Sequence, residues 1–245
     1  ISQRLILRVG GEKYNKINRF RIIGQGKNST SNNFKIFKMN LLDYLLELEN
    51  KQPIHPIIIE MENYGKKMNF PILNRLSARF LSLISIASKS RYIFEIGSGF
   101  GYSAMWIALY NQYLEKIYLT DYKSQNLELA REFFRVVGLE NKLEIYIGDG
   151  LNLLSEIKME FDLIFNDADK KQYPKIISMV KKKLKVGGVF ISDNTLWHNK
   201  VLDKNDNSEE TRAIREFNKL IFSDKDFISS FIPIGDGLII SIKTL

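Results

Sequence analysis

Two stretches of this chain place oxygen-bearing side chains directly behind apolar runs. "FDLIFNDADKKQY" (161–173) passes from an apolar run into Asn166, Asp167, Asp169 and Lys170, and "GVFISDN" (188–194) ends in Asp193 and Asn194. Two carboxylates and a carboxamide brought together are hard oxygen ligands, the kind that hold Mg²⁺ while leaving the rest of its shell to water and substrate. Carboxylates crowded together without a cation repel one another and draw protons, and a metal removes that difficulty. Taken singly, Asp167 and Asp193 would each serve as an ordinary helix cap. The metal becomes the better explanation in the company of what lies upstream.

There, "EIGSGFGYS" (95–103) sets Gly97, Gly99 and Gly101 behind another apolar run. Closely placed glycines let the backbone turn sharply and approach a ligand, and the start of the following helix offers unpaired N–H groups. Such a loop alone fits dinucleotides and other nucleosides alike. The next run ends in Asp121, whose carboxylate suits ribose hydroxyls or the cap of a helix, and the third ends in Asp149 and Gly150. Three successive strand ends thus carry parts suited to an adenosine. Glu95 is an acid where a phosphate would be repelled, which favours a positively charged cofactor and points to S-adenosylmethionine over NAD.

These residues need a scaffold that gathers strand ends. "RYIFEIG" (91–97), "KIYLT" (116–120), "LEIYIG" (143–148), "FDLIF" (161–165) and "GVFIS" (188–192) are short β-rich runs, and helical patterns such as 124–137 and 170–184 separate them. Strand alternating with helix predicts βαβ units, a parallel sheet and right-handed crossovers. Ligands of such sheets gather at the carboxyl ends of the strands. Neighbouring fourth and fifth strands would face Asp167 towards Asp193 and Asn194. Helical patterns at 41–49, 56–67 and 73–88 precede the sheet, and "FISSFIPIGDGLIISIK" (227–243) reads as a hairpin with a Gly-Asp-Gly turn.

The 245 residues are 44% hydrophobic and 26% charged, enough for one sizeable core. Cysteine is absent, which excludes disulfides, thiolate metal sites and cysteine nucleophiles. The two histidines, His55 and His198, are too few for a histidine cluster, so any metal is held by oxygen. No apolar stretch has the length of a membrane span and the first residues do not form a secretory signal, so a cytoplasmic protein with no membrane partner is expected. The net charge of +8 sits in residues 1–38, which hold nine Lys and Arg against Glu12 alone, while the rest balances 27 against 27. With "GQGKNSTSNN" (24–33) in linker composition, 1–38 is expected to be a disordered basic leader, such as an upstream extension beyond the natural start, in preference to a nucleic-acid arm or a targeting peptide. Residues 39–245 are expected to form a single domain with a helical cap over 39–90.

The motifs "EIGSGFGYSA", "DADKKQY", "SDNTLWHNKV", "TRAIREFN" and "PIGDG", in this order, resemble the cation-dependent O-methyltransferases of the catechol and caffeoyl-coenzyme A type across about residues 54–245. The pairing of "DADK" with "DNTLW" is specific; the glycine loop alone is shared by most class I methyltransferases. The resemblance implies a Rossmann-like α/β fold with a seven-stranded, mostly parallel sheet, helices on both faces and a C-terminal antiparallel hairpin. It implies that Asp167, Asp193 and Asn194 hold a divalent cation, Mg²⁺ or another such as Ca²⁺ or Mn²⁺, and that Lys170 is the general base on the acceptor hydroxyl. It further places Leu73, Glu95, Gly97, Ser103 and Asp121 on S-adenosylmethionine, with Asp149 and Gly150 at its adenine end; Gly99 is a cofactor candidate from the glycine loop itself. The implied reaction methylates a hydroxyl of a small catechol-like or hydroxycinnamoyl-type acceptor, in an enzyme that is often a homodimer. A tRNA hydroxyuridine is the runner-up acceptor, against which the acidic-leaning "DKNDNSEE" (203–210) counts, and a non-catalytic nucleotide-binding protein is the third reading. This chain departs from the family pattern at Asn166, where an apolar residue is usual, at Ala78–Arg79, where Gly-Gln is frequent, and near Asn199, where a glycine is frequent.

Overall fold

A computed structural model describes residues 41–49 and 51–245. The chain divides into two compact units, 1–52 and 53–245. In the first, α1 (Leu41–Glu49) is the described helix, with Asp43 in its first turn where the helix dipole favours an acid. The basic leader expected over 1–38 lies outside the described residues.

The second unit opens with α2 (Pro56–Met68) and α3 (Arg75–Ala87). His55 caps α2, its Nδ1 accepting the Ile57 N–H, and Asn74 caps α3, its Oδ1 accepting the Leu76 N–H. There follow β1 (Tyr92–Ile96), α4 (Tyr102–Tyr110), β2 (Lys116–Asp121), α5 (Ser124–Val136), β3 (Leu143–Ile147), α6 (Gly150–Glu156), β4 (Phe161–Asn166), α7 (Tyr173–Lys183), β5 (Leu184–Ser192), α8 (Glu209–Ser223), β6 (Phe227–Ile232) and β7 (Leu238–Lys243). The sheet has seven strands in the order β3-β2-β1-β4-β5-β7-β6. The pairs from β3 to β5 are parallel, and β7 runs antiparallel to both β5 and β6. The Rossmann-like architecture is the one the motifs imply.

Strand alternation sorts the core into two layers. Ile93, Leu163, Phe165, Val189 and Ile191 join the cluster built with α2 to α5, whereas Phe94, Ile164 and Phe190 join the one built with α6, α7 and α8. By the same period Glu95 points to the first face, towards α4. The apolar run "YSAMWIA" makes α4 a helix buried on every side along Tyr102–Ala108, with no polar face to turn outward. The strand order reverses at β1 and β4, and that switch point is where open α/β sheets bind their ligands.

Candidate active site

The cavity at this switch point has a volume of about 630 Å³. Its wall brings together Leu73, Gly97, Gly99, Ser103 and Asp121 on one side and Asp167, Lys170, Asp193 and Asn194 on the other. Adjacent parallel strands account for the second group. β4 and β5 pair with Asn166 opposite Ser192, so the next residue of each strand, Asp167 and Asp193, emerges at the same level. The polar residue at 166, unusual for the resemblance, has a local role. Asn166 and Ser192 are fully buried, and the Asn166 amide donates to Ser192 Oγ at 2.8 Å while its Oδ1 accepts the Ala168 N–H at 3.2 Å.

Neither metal-candidate acid caps a helix. That task falls to Asp169, which accepts the Lys171 N–H and opens a 3₁₀ turn over Lys170–Gln172. Asp193 is 5% exposed, and burial together with the charge of Asp167 pushes its carboxyl up to about 7. Burial also raises Asp167, against the opposing pull of Lys170. Lys170 Nζ donates to Asp167 Oδ1 at 2.8 Å and to Ala168 O at 2.9 Å, and its side chain is only 11% exposed. The ammonium lies over the Tyr173 and Trp197 rings, 5.1 and 6.0 Å from their centroids. A solvated surface lysine would show none of this. Among the described residues no three His, Cys, Asp or Glu side chains gather into a metal-binding group; the candidate set is two carboxylates and one carboxamide, an all-oxygen set that suits a hard cation.

The glycine loop is set against the metal-candidate strand. Gly97 has φ +81, and a Cβ there would stand 2.6 Å from the Asp167 carbonyl oxygen, so only glycine lets the two loops meet. Glu95 lies behind the cavity wall, 1% exposed. Its Oε1 accepts the Ser103 hydroxyl, while Oε2 is buried without a partner. Burial pushes this carboxyl up to about 8, aided by the charges of Asp167 and Asp121 and opposed by Ser103 and Ser98. A buried acid with an orphaned oxygen fits a cationic ligand group that reaches it through the wall.

Asp121 Oδ2 accepts the Gly99 N–H at 3.1 Å, and Oδ1 accepts the Lys123 N–H at 2.8 Å and the Asn126 amide at 3.0 Å. It therefore braces the loop while lining the cavity. Asp149 and Gly150 do not line it. Asp149 caps α6 through the Leu151 and Asn152 N–H groups, and its Oδ2 accepts the Tyr122 hydroxyl at 2.6 Å and the Gln172 amide at 2.7 Å. A Cβ on Gly150 would come within 2.5 Å of Thr120 Oγ1, so close helix-to-sheet packing already accounts for that glycine. Tyr102 lines the cavity, whereas Tyr173 is fully buried in the second core layer and donates its hydroxyl to the Asp193 carbonyl at 2.9 Å. Phe70, Asn74 and Asp236 complete the wall from loops and a turn. Only Asp236 carried any advance signal, as the centre of the Gly-Asp-Gly turn.

The model of the O-methyltransferase family matches residues 52–244. The chain belongs to the O-methyltransferase family. It is 30% identical to a caffeoyl-CoA O-methyltransferase of Medicago sativa over 82% of this chain and 87% of that protein. It is also 30% identical to tapetum-specific methyltransferase 1 of Arabidopsis thaliana, over 81% of this chain and 91% of that protein. Among solved structures, the O-methyltransferase from Bacillus cereus in complex with SAH superposes with a TM-score of 0.71 at 25% identity, covering 78% of this chain and 92% of that one. This O-methyltransferase is an enzyme of the S-adenosylmethionine-dependent class. Among its described residues no helix is long and apolar enough to cross a membrane.

Proposed function

We propose that this O-methyltransferase transfers a methyl group from S-adenosylmethionine to one hydroxyl of a small catechol-like or hydroxycinnamoyl-type acceptor, with a divalent cation held by Asp167, Asp193 and Asn194. The observation that carries the reading is the single cavity wall shared by those three side chains, Lys170 and the glycine loop. The similarity to a caffeoyl-CoA O-methyltransferase over most of both chains supports the acceptor class. A bound divalent cation supplies Lewis acidity, which lowers the pKa of a coordinated hydroxyl.

The protein's own residues do the rest. Gly97 and Gly99 let the backbone close on the nucleoside, and Asp121 faces its ribose. Glu95, through Ser103 and its orphaned oxygen, receives the positive methionine end. Since a sulfonium methyl is already activated, most of the acceleration comes from alignment: the cofactor loop and the β4 tip touch at Gly97 and Asp167, which fixes methyl donor against acceptor oxygen. Lys170, hydrogen-bonded to Asp167 and sheltered under Trp197, stands where it can take the acceptor's proton. Trp197 and His198, on the loop after β5, supply a flat wall for an aromatic acceptor.

The test is a transfer assay with labelled S-adenosylmethionine against a catechol panel and bulk tRNA, with and without chelator. Label in the catechols that disappears with chelator is the expected result. Labelled tRNA with inert catechols would overturn the acceptor, and chelator-resistant transfer would overturn the metal.

A further inference from the structure

The Gly-Asp-Gly stretch 235–237 reads in the sequence as a hairpin turn, and the proposed chemistry has no use for it. In the structure this turn is pressed onto the loop that carries Asn194. Thr195 N–H donates to Gly237 O at 3.0 Å and Leu196 N–H to Asp236 O at 2.9 Å. A Cβ on Gly237, at φ +83, would come within 2.8 Å of both Leu196 Cγ and the Phe231 ring, so glycine is what allows the two segments to meet. Asp236 is thereby lodged in the cavity wall beside Asn194, its side chain 17% exposed. Its Oδ1 accepts the His198 N–H at 2.6 Å, and its Oδ2 accepts the Asn194 Nδ2 amide at 3.4 Å and lies 3.6 Å from His198 Nδ1. The loop it holds is left-handed at Asn194, Trp197, His198 and Asn199.

We propose that Asp236 is a positioning residue that sets which end of the Asn194 carboxamide faces Asp167 and Asp193. A carboxamide has two ends of nearly equal shape, one a donor and one an acceptor, and only the oxygen end can hold a cation. Asp236 is a pure acceptor when ionised, so it takes the donor end; the reversed amide would set oxygen against carboxylate. The loop geometry reinforces the choice, because the same carboxylate ties down His198 and so fixes the backbone from which Asn194 projects. The inference rests on the reading that Asp167, Asp193 and Asn194 hold a divalent cation. A competing account is that Asp236 matters through its negative charge alone, which Asp167 and Asp193 also feel.

Mn²⁺ binding, read by the loss of free-ion paramagnetic resonance signal, separates the two in a double-mutant cycle of Asp236→Ala and Asn194→Ala. Affinity for SAH, measured on each variant, reports that the nucleoside loop and the fold persist. Asp236→Ala is expected to weaken Mn²⁺ about 10- to 100-fold in the otherwise unaltered protein. In the Asn194→Ala background the same change is expected to cost less than about twofold, because there is no amide left to orient. Equal losses in both backgrounds, or no loss in the first, overturn the proposal while leaving the metal site in place. An unaltered protein that binds SAH but no Mn²⁺ overturns the metal reading and this inference with it. Should Asp236→Ala not fold, Asp236→Asn takes its place in the cycle. Its single carbonyl oxygen can serve His198 or Asn194 but not both, so a smaller loss confined to the Asn194 background is expected, and a loss equal in both sinks the idea.

Discussion

Lys170 stands in a lysine-rich stretch that composition leaves indistinct, and what separates it is burial and two hydrogen bonds, to Asp167 and to the Ala168 carbonyl. Replacing it by Met keeps an unbranched side chain at this position but removes the proposed proton acceptor. Transfer by Lys170→Met is expected to fall by about 10²- to 10⁴-fold at neutral pH with SAH affinity unchanged; a rate within a factor of two of the parent would strip the residue of its role. Asp167 offers the complementary test. Gly97 packs on the backbone of Asp167 and not on its side chain, so Asp167→Ala should spare the nucleoside loop. Chelator-sensitive turnover is expected to vanish while SAH binding, followed calorimetrically, persists; retained turnover would dissolve the metal assignment. Asp167, Asp193, Asn194 and Asp121 could be found in the sequence because each lies within two residues of the end of an apolar run that forms a strand. Phe70, Asn74 and Asp236 could not be placed that way. They reach the cavity from a loop, a helix cap and a hairpin turn, where side-chain direction depends on what the segment packs against.

Elements obey the same division between local and tertiary causes. The 170–184 helical pattern becomes a 3₁₀ turn followed by a helix that starts at Tyr173, because Pro174 fits only the first turn of an α-helix. The β5 strand begins at Leu184, ahead of the 188–192 run, and the Gly187–Gly188 pair lies within it, opposite the register shift between Phe161 and Leu163. The link among α2, α3 and α4 left no sequence signal at all. Glu62 on α2 is 7% exposed, pairs with Arg75 on α3, and accepts the Tyr102 hydroxyl of α4 at 2.8 Å. Burial pushes the Glu62 carboxyl up, but the bonds from Arg75 and Tyr102 outweigh it and hold it below the usual range. Since Tyr102 lines the cavity, this pair fixes the cap helices to the wall of the site. Removing one partner of a buried pair strands the other charge, and Arg75 is a quarter exposed, so Arg75→Met should cost about 2–3 kcal/mol in urea denaturation. A loss under about 0.5 kcal/mol would class the pair with ordinary surface ion pairs.

At the scale of the molecule, a sheet whose order reverses between β1 and β4 collects acids at one edge: Glu95 behind the wall, Asp167 and Asp193 in it. All three are pushed above their ordinary values, first by burial. For an acid whose folded value is raised, the native state holds its proton more firmly than the unfolded chain does. The stability it lends is complete below the unfolded value, here 4.5 for Glu95, and is lost as pH rises through the folded value of about 8. The ligand-free enzyme is therefore expected to melt at progressively lower temperature from about pH 5 to pH 8 and to level off beyond. Glu95→Gln removes one titrating group while keeping the Ser103 hydroxyl paired. Its melting temperature is expected to fall less across that window, with Asp167 and Asp193 supplying the slope that remains. A slope identical to the parent's would mean that Glu95 is ionised in the folded protein throughout, and the orphaned oxygen would then need another explanation than an acid kept ready for a cationic ligand.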